Sequence, residues 1–254
     1  MKRIVLITSG QPSLNPRLVK EADALGNNGY QVTVLYLYWN KWGSDLDYDL
    51  LKYKKWKFIR VGGTPKTNKL TYWCSRIIFK IFTFFAKQFT FEHQIAENAM
   101  GRCSNHLLKN AKKFNADLYI AHNLAALPVA VMAAKKNKAK CGFDAEDFHR
   151  YESSNNSCDF KVKLNTFIED KYLKQVDYLT TASPLIAKSY QSLYPNVNPI
   201  VINNVFELKH QPELSLNQTE RLKLFWFSQT IGKNRGLEDV IEALNIINDK
   251  RLEL

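Results

Sequence analysis

Four places in the 254-residue sequence carry residue types suited to chemistry. The first is His122, inside "ADLYIAHNLAALPVAVMAAKK" (116–136), where one apolar run ends and the next begins. An imidazole titrates near neutrality, so it can recognise a hydroxyl, stabilise charge or exchange a proton. Local sequence equally permits a core histidine bonded to a neighbouring carbonyl. The second is "DAEDFHRYE", which packs Asp144, Glu146, Asp147, His149 and Glu152 together. Carboxylates and an imidazole can ligate a metal, accept hydrogen bonds from a ligand's hydroxyls, or stand as a solvated acidic loop. Metal spacing here is unspecific, and neighbouring like charges can raise a carboxylate pKa.

The third place is "GKNRG", residues 232–236. Gly232 and Gly236 permit close backbone approach, while Lys233 and Arg235 bring charge to a helix start. Free N–H groups at a helix start favour phosphate, and the arginine fork suits phosphate oxygens. A basic solvent-facing loop is the competing reading. A fourth, weaker place is "TSGQPSLNP", with Ser9, Gly10 and Gln11 after an apolar run. It has one glycine where a dinucleotide fold wants GxGxxG, and GxxxxGK[ST] is absent from the chain. NAD and P-loop readings are therefore disfavoured. A plain turn is the alternative to a ligand loop.

Positioning these groups requires a sheet. "RIVLIT" reads as a central strand, and "NPRLVKEADALGNNGYQ" as a helix capped by Asn15, with Pro16 first and Gly29 near its end. "YQVTVLYLY" and "WKFIRV" are further strands. Residues 70–112 are helical but too long for one ordinary helix. "ADLYIA" is a strand, "ALPVAVMAAKK" a helix, "AKCGFDAED" a strand leading into an acidic loop, and "TFIEDKYLKQV" a helix. "DYLTTAS", "PLIAKSYQSLY" and "NPIVINNV" continue as strand, helix and strand. Such alternation implies an α/β, doubly wound parallel sheet. In it, His122 and the loop after the first strand reach the carboxyl edge, where ligands bind.

"FELKHQPELSLNQTERL" is polar and contains Pro212, so it reads as a linker. "LKLFWFSQTIGKNRGLEDVIEALNIIND" then opens a second strand–loop–helix unit. The expected organisation is a domain over 1–204, a linker over 205–221, and over 222–254 the start of a second, incomplete α/β domain. The chain thus reads as a fragment of a longer protein.

Composition is that of an ordinary globular protein, 45% hydrophobic and 24% charged. The net charge of +12 implies an anionic partner. Much of it lies in residues 51–69. The four cysteines form no CxxC pair, which fits a reduced, cytoplasmic setting without a zinc ribbon. "MKRIVLITSGQPS" is not a signal peptide, and no apolar stretch is long enough to span a membrane. "TYWCSRIIFKIFTFFAKQFTF" interleaves aromatic residues with Arg76, Lys80 and Lys87. It suits an anionic membrane interface, against the alternative of a core helix. No RNP, KH or helix-turn-helix pattern supports nucleic acid as a partner.

The order of these segments resembles the amino-terminal part of a group 1, family 4-like glycosyltransferase of the GT-B type. "SGQPSLNPRLVKEADALGNNGYQVTVL" is similar to that family's opening loop and helix, "YIAHN" to its histidine strand, and "DYLTTASPLIAKSY" to the approach to the domain crossover. "VINNVF" is similar to the lead into the linker, and "FSQTIGKNRGLEDVIEAL" to the phosphate loop of the nucleotide-sugar domain. The resemblance implies a Rossmann-like fold and transfer of a sugar from a nucleotide-sugar to a cell-surface glycan or lipid-linked precursor, in retaining fashion, without cofactor or metal. It implies His122 as the catalytic residue, beside the reacting sugar, and Gly10, Gln229, Lys233, Arg235 and Gly236 on the donor. Gln229 stands where the family often has arginine. Acceptor contacts are expected from Ser9, Gln11, Asn15, Asn123, Glu146, Asp147 and His149. The location implied is cytoplasmic, at the inner face of the cell membrane. The family's glutamate pair is absent from these residues, so a non-catalytic, membrane-associated binding domain is the alternative.

Overall fold

A computed structural model of the chain describes residues 1–208, 211–213, 221–227 and 236–254. The chain divides into two compact units, Met1–Val205 and Phe206–Leu254.

The first unit is built on seven strands: β1 (Arg3–Thr8), β2 (Gln31–Leu37), β3 (Lys57–Val61), β4 (Leu118–His122), β5 (Lys140–Ala145), β6 (Tyr178–Thr181) and β7 (Ile200–Val201). They lie in the order β3-β2-β1-β4-β5-β6-β7, and every pairing is parallel. The strand order reverses between β1 and β4. Both faces of the inner strands are covered, which is why "RIVLI" and "VTVL" are continuous apolar runs. Val5 and Ile7 enter one core layer and Ile4 and Leu6 the other. β7 is shorter than "NPIVINNV" suggests.

The helices of this unit are α1 (Pro16–Asn27), α2 (Lys41–Leu51), α3 (Lys69–Gln88), α4 (Ile95–Met100), α5 (Ser104–Ala111), α6 (Leu127–Asn137), α7 (Phe160–Tyr172) and α8 (Pro184–Leu193). Asn15 caps α1 as its sequence predicts, its side chain accepting from the Leu18 N–H at 3.0 Å. The long 70–112 segment breaks into three helices. α2 is unannounced in the sequence, because its buried positions are Gly43, Asp47 and Leu51 rather than an apolar stripe. Gly43 is required there: a Cβ would stand 2.9 Å from Asn40 Oδ1 and 3.0 Å from Gln11 Oε1. No helix among the described residues is long and apolar enough to cross a membrane.

The second unit contains β8 (Leu222–Lys223), α9 (Leu237–Ile247) and β9 (Leu252–Glu253), with β8 and β9 paired in parallel. Gly236 precedes α9 at φ +78°, a left-handed conformation natural to glycine. Gln229, Lys233 and Arg235 lie outside the described residues.

Candidate functional site

The strand-order reversal places the ends of β1 and β4 side by side, the position at which open α/β sheets bind ligands. Thr8, His122, Asp144 and Thr180 are register partners across β1, β4, β5 and β6. Partners in a parallel sheet share a face, so these four form one polar level at the carboxyl edge. The level two residues lower is apolar, with Leu6 paired to Ile120.

α1 crosses this face and adds Arg17 and Glu21, four residues apart and so on one side of the helix. Glu21 Oε2 receives His122 Nε2 at 2.7 Å. His122 Nδ1 faces Glu146 Oε1 at 3.4 Å and Asp144 Oδ2 at 3.5 Å. Arg17 forks onto Asp144, Nε to Oδ2 at 2.8 Å and Nη2 to Oδ1 at 2.6 Å. The Thr180 hydroxyl donates to Oδ1 at 2.6 Å.

Burial by itself would lower the His122 pKa. Hydrogen bonds with Glu146 and Glu21, and the charges of Glu21 and Asp144, carry it instead up to about 9. The ring is therefore an imidazolium at neutral pH, donating to both sides. For Asp144, burial pushes upward, but Arg17, His122 and Thr180 together hold it below the ordinary carboxylate range. The cluster thus carries two cations among three carboxylates. Ligand atoms of His122, Asp144 and Glu146 lie within 4.8 Å of one another, a spacing a metal could bridge. Arg17 and the imidazolium already supply positive charge at that point, and Arg17 uses both oxygens of Asp144.

The expectation of an imidazole open to a ligand is not met. His122 stands at the rim of the sheet, yet the ring is 0% exposed. Three acidic side chains close around it because burying a charged ring requires them. Solvent reaches the cluster through the carboxylates: the Glu21 and Glu146 side chains are 29% and 23% exposed.

The other expected site residues separate in the same way. Gln11 is fully buried. Its amide Nε2 donates to Ser44 Oγ at 3.0 Å and Asp47 Oδ2 at 2.8 Å. Its Oε1 accepts from the N–H groups of Trp39 and Asn40 at 3.0 and 2.8 Å. The side chain ties the β1 loop to the start of α2 and has no capacity left for an acceptor. Asn123 (φ +72°) is similarly committed: Oδ1 accepts from Ser9 Oγ and the Ala126 N–H, and Nδ2 donates to Thr8 Oγ1. Asn15 Nδ2 donates to Glu146 Oε1 at 2.5 Å, so it orients an acid besides capping α1. His149 is buried beside Phe143, with ring centroids 5.9 Å apart. Its Nδ1 bonds Glu152 at 3.0 Å, and Nε2 is buried with no partner among the described residues. Neither nitrogen is open to an acceptor. Ser9 and Gly10 are half-buried at the edge, and Asp147 is exposed.

Sequence reasoning missed Arg17 and Glu21. The available signal was their four-residue spacing on a helix directly after the first strand.

No family model matches the sequence, and no curated protein does. Solved structures match in fold. Sucrose-phosphate synthase from Thermosynechococcus elongatus is 13% identical with a TM-score of 0.50, over 82% of this chain and 49% of that one. Anabaena HepE in complex with UDP-glucose is 10% identical with a TM-score of 0.48, over 98% and 50%. The lipopolysaccharide outer core galactosyltransferase WaaB, in its apo form, is 12% identical with a TM-score of 0.47, over 95% and 57%. The chain spans about half the length of these structures. It has the α/β, Rossmann-like parallel-sheet fold that the first of them shares with GT-B glycosyltransferases.

Proposed function

We propose that the chain is the acceptor-side part of a glycosyltransferase that moves a sugar from a nucleotide-sugar to a cell-surface glycan or its lipid-linked precursor. Residues 1–204 would form the acceptor-side domain, 205–221 the linker, and 222–254 the start of the nucleotide-sugar domain. The observation that carries this reading is the acid-rich polar level at the strand-order reversal, on a fold shared with sucrose-phosphate synthase. Glu146 and Asp147 meet the acceptor's hydroxyls. His122 is a positioning residue that holds Glu146 and Glu21 through its two N–H groups. A Cβ at Gly10 would meet only Thr8 Oγ1, at 3.8 Å. Packing therefore does not demand glycine there, whereas close approach of a sugar diphosphate does. On the family resemblance, Gln229, Lys233, Arg235 and Gly236 are also assigned to the donor's diphosphate, whose developing charge such groups stabilise. On the family resemblance, transfer is retaining and needs no metal.

The protein works at the cytoplasmic face of the membrane. Leu70, Trp73, Ile77, Ile81 and Phe84 are exposed along α3 at helical spacing. Residues 50–91 contain ten Lys and Arg and no Asp or Glu. An apolar stripe amid cations suits an anionic lipid interface. The same observation favours the second reading, a non-catalytic membrane-associated domain.

The test is a transfer assay on the complete protein with labelled nucleotide-sugars and membranes carrying lipid-linked acceptors. One donor's sugar should become acceptor-linked, and Glu146→Gln should lower kcat by about tenfold or more. No transfer from any donor, with binding to anionic vesicles retained, would replace the enzyme with the binding domain.

A further inference from the structure

The polar level at the carboxyl edge continues past the strand-order reversal. Tyr36 follows Leu35, the partner of Ile7, just as Thr8 follows Ile7. Tyr36 pairs in turn with Arg60 on the edge strand β3. Arg60, Tyr36, Thr8, His122 and Asp144 therefore occupy one row on one face of the sheet. Two residues lower the same strands present Phe58, Val34, Leu6 and Ile120.

At its β3 end the row opens into a cleft of about 390 Å³ lined by Tyr36, Ser44, Tyr48, Lys52, Phe58 and Arg60. The size is that of a small-ligand pocket. One wall is α2, whose Ser44, Asp47, Tyr48 and Leu51 fall on one side at helical spacing. Asp47 and Ser44 are committed to Gln11. Three polar groups are not. Tyr36 is 6% exposed, and its hydroxyl has no hydrogen-bond partner among the described residues. Burial raises its pKa, which keeps it a donor. Arg60 and Lys52 make no ion pair among the described residues. Lys52 has only a ring contact, its Nζ 5.5 Å from the centre of Tyr53. Tyr48 and Phe58 expose ring surface beside them.

Arg60 and Lys52 outnumber the one carboxylate of the lining, Asp47, which is held by the neutral donors Gln11 Nε2 and the Ser13 N–H. Two cations against one carboxylate, with a phenol donor, favour an anion. Flat aromatic walls with a polar rim suit the apolar face of a sugar ring. We propose that this cleft binds a negatively charged sugar residue of the acceptor glycan, carrying a carboxylate or a phosphate. The word acceptor rests on the glycosyltransferase reading. Tyr36 stands two strand spacings from His122, about 10 Å, so an oligosaccharide can occupy the cleft and reach Glu146 together.

The test is a calorimetric titration of the full chain with three probes: a hyaluronan tetrasaccharide for carboxylate, glucose 6-phosphate for phosphate, and cellotetraose as the neutral control. At least one anionic probe should bind about tenfold more tightly than cellotetraose. The pair Arg60→Ala and Lys52→Ala should remove that preference with Tm unchanged. Tyr36→Phe should weaken the anionic probe by about fivefold. Equal affinity for cellotetraose, binding insensitive to the double variant, or no binding of any probe at millimolar concentration would each overturn the proposal. Sensitive binding without sugar transfer would leave the cleft and remove the enzyme. Transfer with unaltered KM and kcat in the double variant would do the reverse.

Discussion

The two ends of one row of the sheet meet opposite fates. At the β4–β5 end, α1 lies over His122 and Asp144. Both ring nitrogens of His122 and both oxygens of Asp144 are answered within the protein, while the side chains of Glu21 and Glu146 reach solvent. At the β2–β3 end, α2 stands aside, and Tyr36 and Arg60 face a cleft with polar capacity unused. Side chains of similar type at the same level are structural in one place and available in the other. The difference lies in which helix covers them. Saturation of hydrogen-bonding capacity separates a scaffold from a binding surface better than residue type does.

The contrast is sharpest where the charges are buried. Asp144→Asn leaves Arg17 and the imidazolium without their shared partner, and should cost about 3–5 kcal/mol in urea unfolding at neutral pH. A loss below about 1 kcal/mol would show that the His122 end is no more committed than the cleft. Gln11→Ala orphans two backbone N–H groups and strips Asp47 of a donor, and should cost about 2–3 kcal/mol by the same measurement.

pH provides a third test. The His122 pKa is raised in the folded state, from 6.5 to about 9. Its stabilisation is therefore full below about pH 6.5 and is lost as pH rises through about 9. His122→Gln should lack this decline, so the wild-type and variant stability curves should converge toward alkaline pH. Parallel curves would mean that the ring is neutral. The smallest effect belongs to the open end: Tyr36→Phe and Arg60→Ala should each change stability by less than about 0.5 kcal/mol. A larger loss would mean that the cleft is held by contacts within the protein.

How much of this could be read beforehand varies by residue. The strands were legible because apolar runs bounded by caps and glycines repeat along the chain, and Asn15 and Pro16 mark α1 clearly. α2 was not, since its inward face is made of Gly43, Asp47 and Leu51. His122 was placed correctly at the end of its strand. Its enclosure was hidden, because Glu21 lies 101 residues away in sequence. Gln11 looked like a ligand contact because it follows the first strand. Only the position of α2 shows that its amide is already spent on Trp39, Asn40, Ser44 and Asp47.

By itself the sequence determined the alternation of strands and helices, and hence which residues stand at the carboxyl edge, because periodicity and capping are local properties of the chain. The tertiary structure alone decided which of those residues remain free. That depends on the helix each strand connection lays across the face, and on charges brought together from more than a hundred residues apart. Desolvation then forces those charges to satisfy one another or remain in water.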